Sequence, residues 1–229
     1  TYDYMSSSPI IDEGMIYVGS IDSCLYAINQ INGKIQCKHK TKGIIRSTPI
    51  ADSGFIYFGS WDNHMYAIHV KDGSLAWKYD AGGSIQSTPV IIDNKLIFGG
   101  RSAFIFGIDK NTGTELWKTS YWGSWVESSP VIYDGIIYIG SSDYRKIHAI
   151  DPNNGNVIWD AKIEGWAWTT PAVNEKSVYI GSSGIQEHGE KMHGRIYAVN
   201  RLNGDIEWKV SLDDNPDVFA YGFTASPVV

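Results

Sequence analysis

The sequence predicts an all-β propeller of four-stranded antiparallel blades, and three observations predict it. Prolines Pro9, Pro49, Pro89, Pro130 and Pro171 return at a spacing of about 40 residues. Each is followed by a glycine (Gly19, Gly59, Gly99, Gly140, Gly181) and then by a second one (Gly33, Gly73, Gly113, Gly155, Gly204). The second glycine precedes Trp77, Trp117, Trp159 or Trp208 in four copies, whereas Cys37 holds that place in the first. A period of ~40–45 residues with several short strands per unit marks a propeller-type array.

The second copy shows what each unit is. Ser47-Thr48-Pro49-Ile50 reads as a short strand A, turned by Asp52-Ser53-Gly54. Phe55-Ile56-Tyr57-Phe58 is a continuous apolar run, as expected of a strand B covered on both faces. Gly59-Ser60-Trp61-Asp62-Asn63 is a loop, and Met65-Tyr66-Ala67-Ile68 is strand C. Asp72-Gly73 closes a tight hairpin in which glycine supplies positive φ, and Ser74-Leu75-Ala76-Trp77-Lys78 is strand D. Such units pack face to face as blades.

The copies place blades at about 6–40, 44–80, 84–120, 125–161 and 166–211. Phe223-Thr224-Ala225-Ser226-Pro227-Val228-Val229 matches strand A of a sixth blade, at 222–229. The first blade already has its own strand A, Ser8-Pro9-Ile10-Ile11, so closing a ring from the two ends would not need both. The chain therefore reads as one propeller domain over 1–229, part of a larger ring; a self-contained five-bladed ring is the alternative.

Composition limits the partners. The net charge of −6 and 19 scattered basic residues speak against nucleic acid, which needs a basic footprint for its phosphates. No apolar run approaches the ~20 residues that span a bilayer, and two cysteines form no framework. Cys24 and Cys37, on strands C and D of the first blade, leave both a cross-strand disulfide and two thiols open.

Ala27-x-Asn29-x-x-x-Gly33, Ala67-Ile68-His69 to Gly73 and Trp77, and Ala149-x-Asp151-x-x-x-Gly155-x-x-x-Trp159 resemble the PQQ-like β-propeller repeat. Cys37 for tryptophan, Gly107 for alanine and His69 for an Asp or Asn depart from it. The repeat occurs in quinoprotein alcohol dehydrogenases and in a non-catalytic outer-membrane-assembly lipoprotein. The resemblance implies a ring of seven or eight blades and residence outside the cytoplasm, periplasmic or secreted.

The repeat also separates structural residues from candidates. Trp77, Trp117, Trp159 and Trp208 recur in register and are blade-packing residues. Trp61, Trp122, Trp125, Trp166 and Trp168 break the register and lie in B–C loops or D–A connections, which emerge on one face. The same face carries the extended loops Ser182 to Gly194 and Leu212 to Gly222, whereas the opposite turns barely vary. A constant face and a variable, aromatic face point to binding through the latter.

Three residues before each repeat proline stand Ser6, Arg46, Gln86, Glu127, Trp168 and Thr224, and five before stand Tyr4, Ile44, Ser84, Trp125, Trp166 and Gly222. The residues between them, Met5, Ile45, Ile85, Val126, Ala167 and Phe223, are apolar and should face the core. The variable polar set should face the channel. Arg46, Gln86, Glu127, Trp125, Trp166 and Trp168 are the candidate ligand site, polar groups converging amid aromatics. An Arg46–Glu127 ion pair and mutual stacking of the aromatics are the purely structural alternatives. Trp61, Trp122, His188 and His193 are further candidates for partner contact. His188-Gly-Glu190-Lys-Met-His193 matches no defined metal-ligand spacing, and Asp213, Asp214, Asn215 and Asp217 lack the glycine and glutamate of a calcium hand, so no metal site is expected.

No Ser-His-Asp set, phosphate loop or helical zinc motif is present. The expectation is a non-catalytic binding scaffold for a protein, peptide or glycan, with no cofactor. The alternative is a fragment of a PQQ- and Ca-dependent alcohol or sugar dehydrogenase, in which a tryptophan stacks on the quinone and Arg46 pairs with its carboxylates. The alcohol dehydrogenases of the resembling family carry a vicinal Cys-Cys ring, whereas Cys24 and Cys37 here are thirteen positions apart.

Overall fold

The computed structural model describes residues 7–121, 123–187, 190–192, 194–211 and 226–228, with only the backbone described within 185–193. Five four-stranded antiparallel sheets follow one another along the chain. The first holds β1 (Ile10–Asp12), β2 (Met15–Gly19), β3 (Cys24–Asn29) and β4 (Ile35–Lys40); the second holds β5 (Ile50–Asp52), β6 (Phe55–Gly59), β7 (His64–His69) and β8 (Leu75–Asp80). The third comprises β9 (Val90–Ile92), β10 (Lys95–Gly99), β11 (Phe104–Asp109) and β12 (Glu115–Ser120), and the fourth β13 (Val131–Tyr133), β14 (Ile136–Gly140), β15 (Lys146–Ile150) and β16 (Val157–Lys162). The fifth is β17 (Ala172–Val173), β18 (Ser177–Gly181), β21 (Arg195–Asn200) and β22 (Ile206–Ser211). Its β18–β21 connection carries a hairpin of its own, β19 (Ile185–Glu187) with β20 (Glu190–Met192). The inner strands of neighbouring blades lie side by side, β1 with β5, β9 with β13 and β13 with β17.

Some boundaries differ from the sequence expectation. Strand A begins after the repeat proline, at Ile50 in the second blade, because proline has no N–H for the ladder. Asp52 belongs to β5, so Ser53-Gly54 alone makes the A–B turn, and both of its residues have positive φ (50° and 82°). That is the two-residue turn matched to strand twist. The C–D connection is longer than a tight hairpin: residues 70–74 link β7 to β8, closed by Gly73 N–H to His69 O at 2.8 Å.

Glycines and tryptophans fasten blade to blade. Ile45, Ile85, Val126 and Ala167, fully buried as their apolar character requires, each rest on the strand-B glycine of the preceding blade. A Cβ on Gly59 would lie 2.3 Å from Ile85 Cγ2, and one on Gly99 2.5 Å from Val126 Cγ1. At the outer edge, the indole N–H groups of Trp77, Trp117 and Trp159 donate to Lys110 O (3.0 Å), Pro152 O (3.0 Å) and Arg201 O (2.9 Å) in the following blade's C–D turn. The hairpin glycine of that turn, Gly113, Gly155 or Gly204, lies flat on the ring. Gly107 is small for a different reason: its own blade's Trp117 folds over it.

The recurring hydroxyls before the prolines complete the joints. Ser47 Oγ donates to Ser87 O (2.9 Å), and Ser128 Oγ to Thr169 O (2.8 Å). Thr170 N–H donates to Ser226 Oγ (3.0 Å), repeating the Ser8 to Thr48 and Thr88 to Ser129 links between inner strands. Ser226 thus stands beside the fifth blade as strand A of a further blade would. Cys24 lies opposite Lys40 and Cys37 opposite Ala27, so the register holds the two thiols apart and both are free.

Candidate functional site

The D–A segments and B–C loops of adjacent blades are laced together by backbone hydrogen bonds, so both sets of variable residues meet on one face. Trp61 N–H donates to Ile44 O (2.9 Å), Arg101 N–H to Ser84 O (3.0 Å), and Ser142 N–H to Trp125 O (3.1 Å). Trp166 and Ser183 exchange N–H to O bonds at 3.0 and 2.9 Å, which roots the β19–β20 insertion beside Trp166. Gly43 is required here: a Cβ would fall 2.4 Å from Asp62 N.

Asp62 fixes the loop that carries Trp61. Its carboxylate accepts from Tyr66 Oη (2.7 Å), Lys42 N–H (2.8 Å) and His64 N–H (3.2 Å). Burial pushes this carboxyl upward, but those hydrogen bonds outweigh burial and hold it below the usual range.

On this frame stands a run of alternating guanidinium and indole groups. The Arg46 guanidinium lies over the Trp61 ring at 4.6 Å from its centroid. Arg101 lies 4.8 Å from the same ring and 4.5 Å from that of Trp125. Glu127, buried, accepts from Arg101 Nε at 2.6 Å and is held by its Nη2 as well. Cation–π contacts of this kind are worth about 0.5–2 kcal/mol each, more as water is excluded. In the next D–A segment Trp166 and Trp168 stack on each other, with centroids 4.8 Å apart and planes at 27°.

The sequence-derived site is thus partly brought together and partly rearranged. Glu127 pairs with Arg101, and Arg46 makes no ion pair among the described residues, so an Arg46–Glu127 bridge is not formed. Trp61, expected as a separate partner contact, joins Arg46 to Arg101. Gln86, half-buried, has no partner role in this run. Trp125 and Trp168 remain 44% and 37% exposed. Trp122, His188 and His193 lie outside the described residues, as do Ser6 and Thr224. Arg101 escaped sequence reasoning. The signal for it was the loop position it shares with Trp61, two residues after the strand-B glycine, where the copies read Ile21, Trp61, Arg101, Ser142 and Ser183.

No group of three His, Cys, Asp or Glu side chains among the described residues converges as a metal site. A shallow depression lies elsewhere, between the fourth and fifth blades, lined by Tyr133, Val173, Asn174, Glu175 and Lys176.

Fold and repeat define the class: a partial β-propeller of PQQ-like repeats. The chain belongs to the family described as outer membrane protein assembly factor BamB, whose pattern matches residues 4–121 and 101–229. Among solved structures it is similar to BamB from Moraxella catarrhalis, with a TM-score of 0.75 at 15% identity over 90% of this chain and 61% of that one. It is similar also to the quinohemoprotein alcohol dehydrogenase of Comamonas testosteroni, with a TM-score of 0.73 at 15% identity over 92% of this chain and 43% of that one. A quinohemoprotein alcohol dehydrogenase from Pseudomonas putida gives 0.69 at 15% identity, over 90% and 42%. These likenesses carry the fold alone, and the chain spans less than two thirds of the length of each structure. No curated protein matches the sequence.

Proposed function

We propose that this chain is a propeller scaffold that binds a protein partner through the D–A and B–C face, outside the cytoplasm. The observation that carries the reading is a pre-ordered surface on which Trp125, Trp168 and Arg46 are exposed, with half-buried Trp61 and Arg101 between Arg46 and Trp125. Aromatic and arginine side chains that are rigid before binding are what interface hot spots are made of, because little side-chain entropy is lost on contact. Trp125 and Trp168 at 44% and 37% exposure form a surface, whereas a small molecule is usually enclosed. The family's description as an assembly factor supports a protein partner and an outer-membrane setting. No helix of the described residues is long and apolar enough to cross a membrane.

A planar quinone with its calcium fits these residues poorly. Glu127, the one carboxylate of the candidate set, is already engaged by Arg101. Trp166 and Trp168 use their facing surfaces on each other. Cys24 and Cys37 sit in the first blade, apart from this cluster.

The test is photo-crosslinking in cells of the source organism, with benzoylphenylalanine placed at Trp125 or Trp168 and, as control, at Ile31 on the opposite face. Ile31 is 89% exposed, so all positions are accessible. A discrete protein adduct from 125 or 168 and none from 31 is expected. Adducts of equal yield from both faces, or none from 125 and 168, would overturn the reading.

A further inference from the structure

We infer that Arg46 reads a carboxylate on the partner, so that the segment bound at this face is acidic, with large apolar side chains beside its Asp or Glu residues. The inference rests on the scaffold reading above and names the chemistry of its partner.

Four observations carry it. Arg46 is exposed and makes no ion pair among the described residues. Arg101, the other guanidinium on the Trp61 ring, is engaged by Glu127. Within the run Arg46 is the guanidinium left over once Glu127 has taken Arg101, and the Asp62 carboxylate beside Trp61 is spent on Tyr66 Oη and on the N–H groups of Lys42 and His64. Nor does the repeat require an arginine here, since the same place holds Gln86, Glu127 and Trp168 in later blades.

The geometry suits a carboxylate. Held over an indole, the Arg46 guanidinium makes no hydrogen bond to a carboxylate among the described residues, so its N–H fork can take a bidentate oxygen pair. Trp61 is itself immobilised through its backbone bond to Ile44 O and the Asp62 network, so the guanidinium is oriented before the partner arrives. Arg101 differs: Glu127 neutralises it, and it holds Trp61 and Trp125 in place from between them. Trp125, exposed at the end of the run, offers the apolar contact next to the charged one.

The probes are two fluorescein-labelled octapeptides, one alternating Glu with Leu and one alternating Gln with Leu, titrated by fluorescence anisotropy against the chain at low and moderate salt. The Glu peptide should bind at least about tenfold more tightly than the Gln peptide, the worth of a charge-assisted hydrogen-bonded contact. Salt should weaken the Glu peptide and barely affect the other. Arg46→Gln should cost the Glu peptide about tenfold and leave the Gln peptide unchanged, with Arg46→Lys between. Glu127→Gln, which releases Arg101 from its carboxylate, should tighten the Glu peptide several-fold. These opposite shifts cannot come from misfolding, and matching circular dichroism melts confirm that Arg46→Gln folds.

Equal binding of both peptides, or binding indifferent to Arg46, would overturn the carboxylate assignment and leave the scaffold reading standing. Loss of all peptide binding while crosslinks still form from residue 125 or 168 would do the same. Arg46-dependent binding of free pyrroloquinoline quinone, with neither peptide bound, would overturn both.

Discussion

His148 should make this propeller sensitive to mild acid, and the size of the effect follows from its surroundings. It lies on β15 at 1% exposure, with Nδ1 unpartnered among the described residues and Nε2 at 3.5 Å from Ser141 Oγ. The Tyr121 ring meets it edge-on at 4.5 Å, and Tyr144 stacks at 6.1 Å. Burial pushes its pKa down from 6.5 to about 3; Asp160 pulls upward and Lys146 downward, and neither reverses burial. Between those values the unfolded chain binds one proton more than the folded one, so stability rises with pH across the window and falls on acidification. Each pH unit below 6.5 costs about 1.4 kcal/mol, hence about 2 kcal/mol at pH 5. That is a large share of a typical 5–15 kcal/mol stability.

The repeat supplies the variant. Phe106 holds the equivalent register place in the third blade, so His148→Phe should be accommodated and should remove the titrating group. Urea unfolding at pH 7 and pH 5 should show wild type losing about 2 kcal/mol more than His148→Phe. The comparison stops at pH 5 because Asp22, Asp52 and Asp62, all held below the usual carboxylate range, lose their contributions at lower pH. Equal losses in both proteins, or a His148 imidazole that titrates near 6.5 by NMR, would refute the reasoning.

Three further outcomes are expected. Gly99→Val should destabilise by about 1–3 kcal/mol or more, because its side chain would enter the space of the buried Val126 and its carbonyl; an unchanged urea midpoint would contradict so close a packing of Val126 on Gly99. Trp117→Ala should cost about 3–5 kcal/mol through lost burial and the lost bond to Pro152 O, whereas Trp208→Ala, at 45% exposure and without a following hairpin among the described residues, should cost well under half of that in thermal melts. Cys37→Trp should raise the melting temperature, by restoring in the first blade the indole that packs on the next blade's hairpin glycine, here Gly73; a lowered melting temperature would show that the site is too small for it.

The sequence by itself determined the architecture, because each blade is specified locally and repeatedly. A proline with a glycine ten residues on, and a second glycine with a tryptophan four residues on in four of the copies, mark an inner strand, two close approaches and an outer plug, and the copies corroborate one another. The same comparison singled out Arg46, Glu127, Trp61, Trp125, Trp166 and Trp168 as residues the fold does not require. Tertiary structure decided how they combine. Arg101 and Glu127 are 26 positions apart and come from different blades, and only the B–C to D–A lacing brings them to 2.6 Å. Offset counting sees one blade at a time; it cannot tell which of two guanidinium groups takes the single carboxylate. The Cys24–Cys37 question was decided inside one blade, by a β3–β4 register that short spacing alone leaves open. Neighbours along the chain set the blades, and neighbours across the joints set the chemistry of the face.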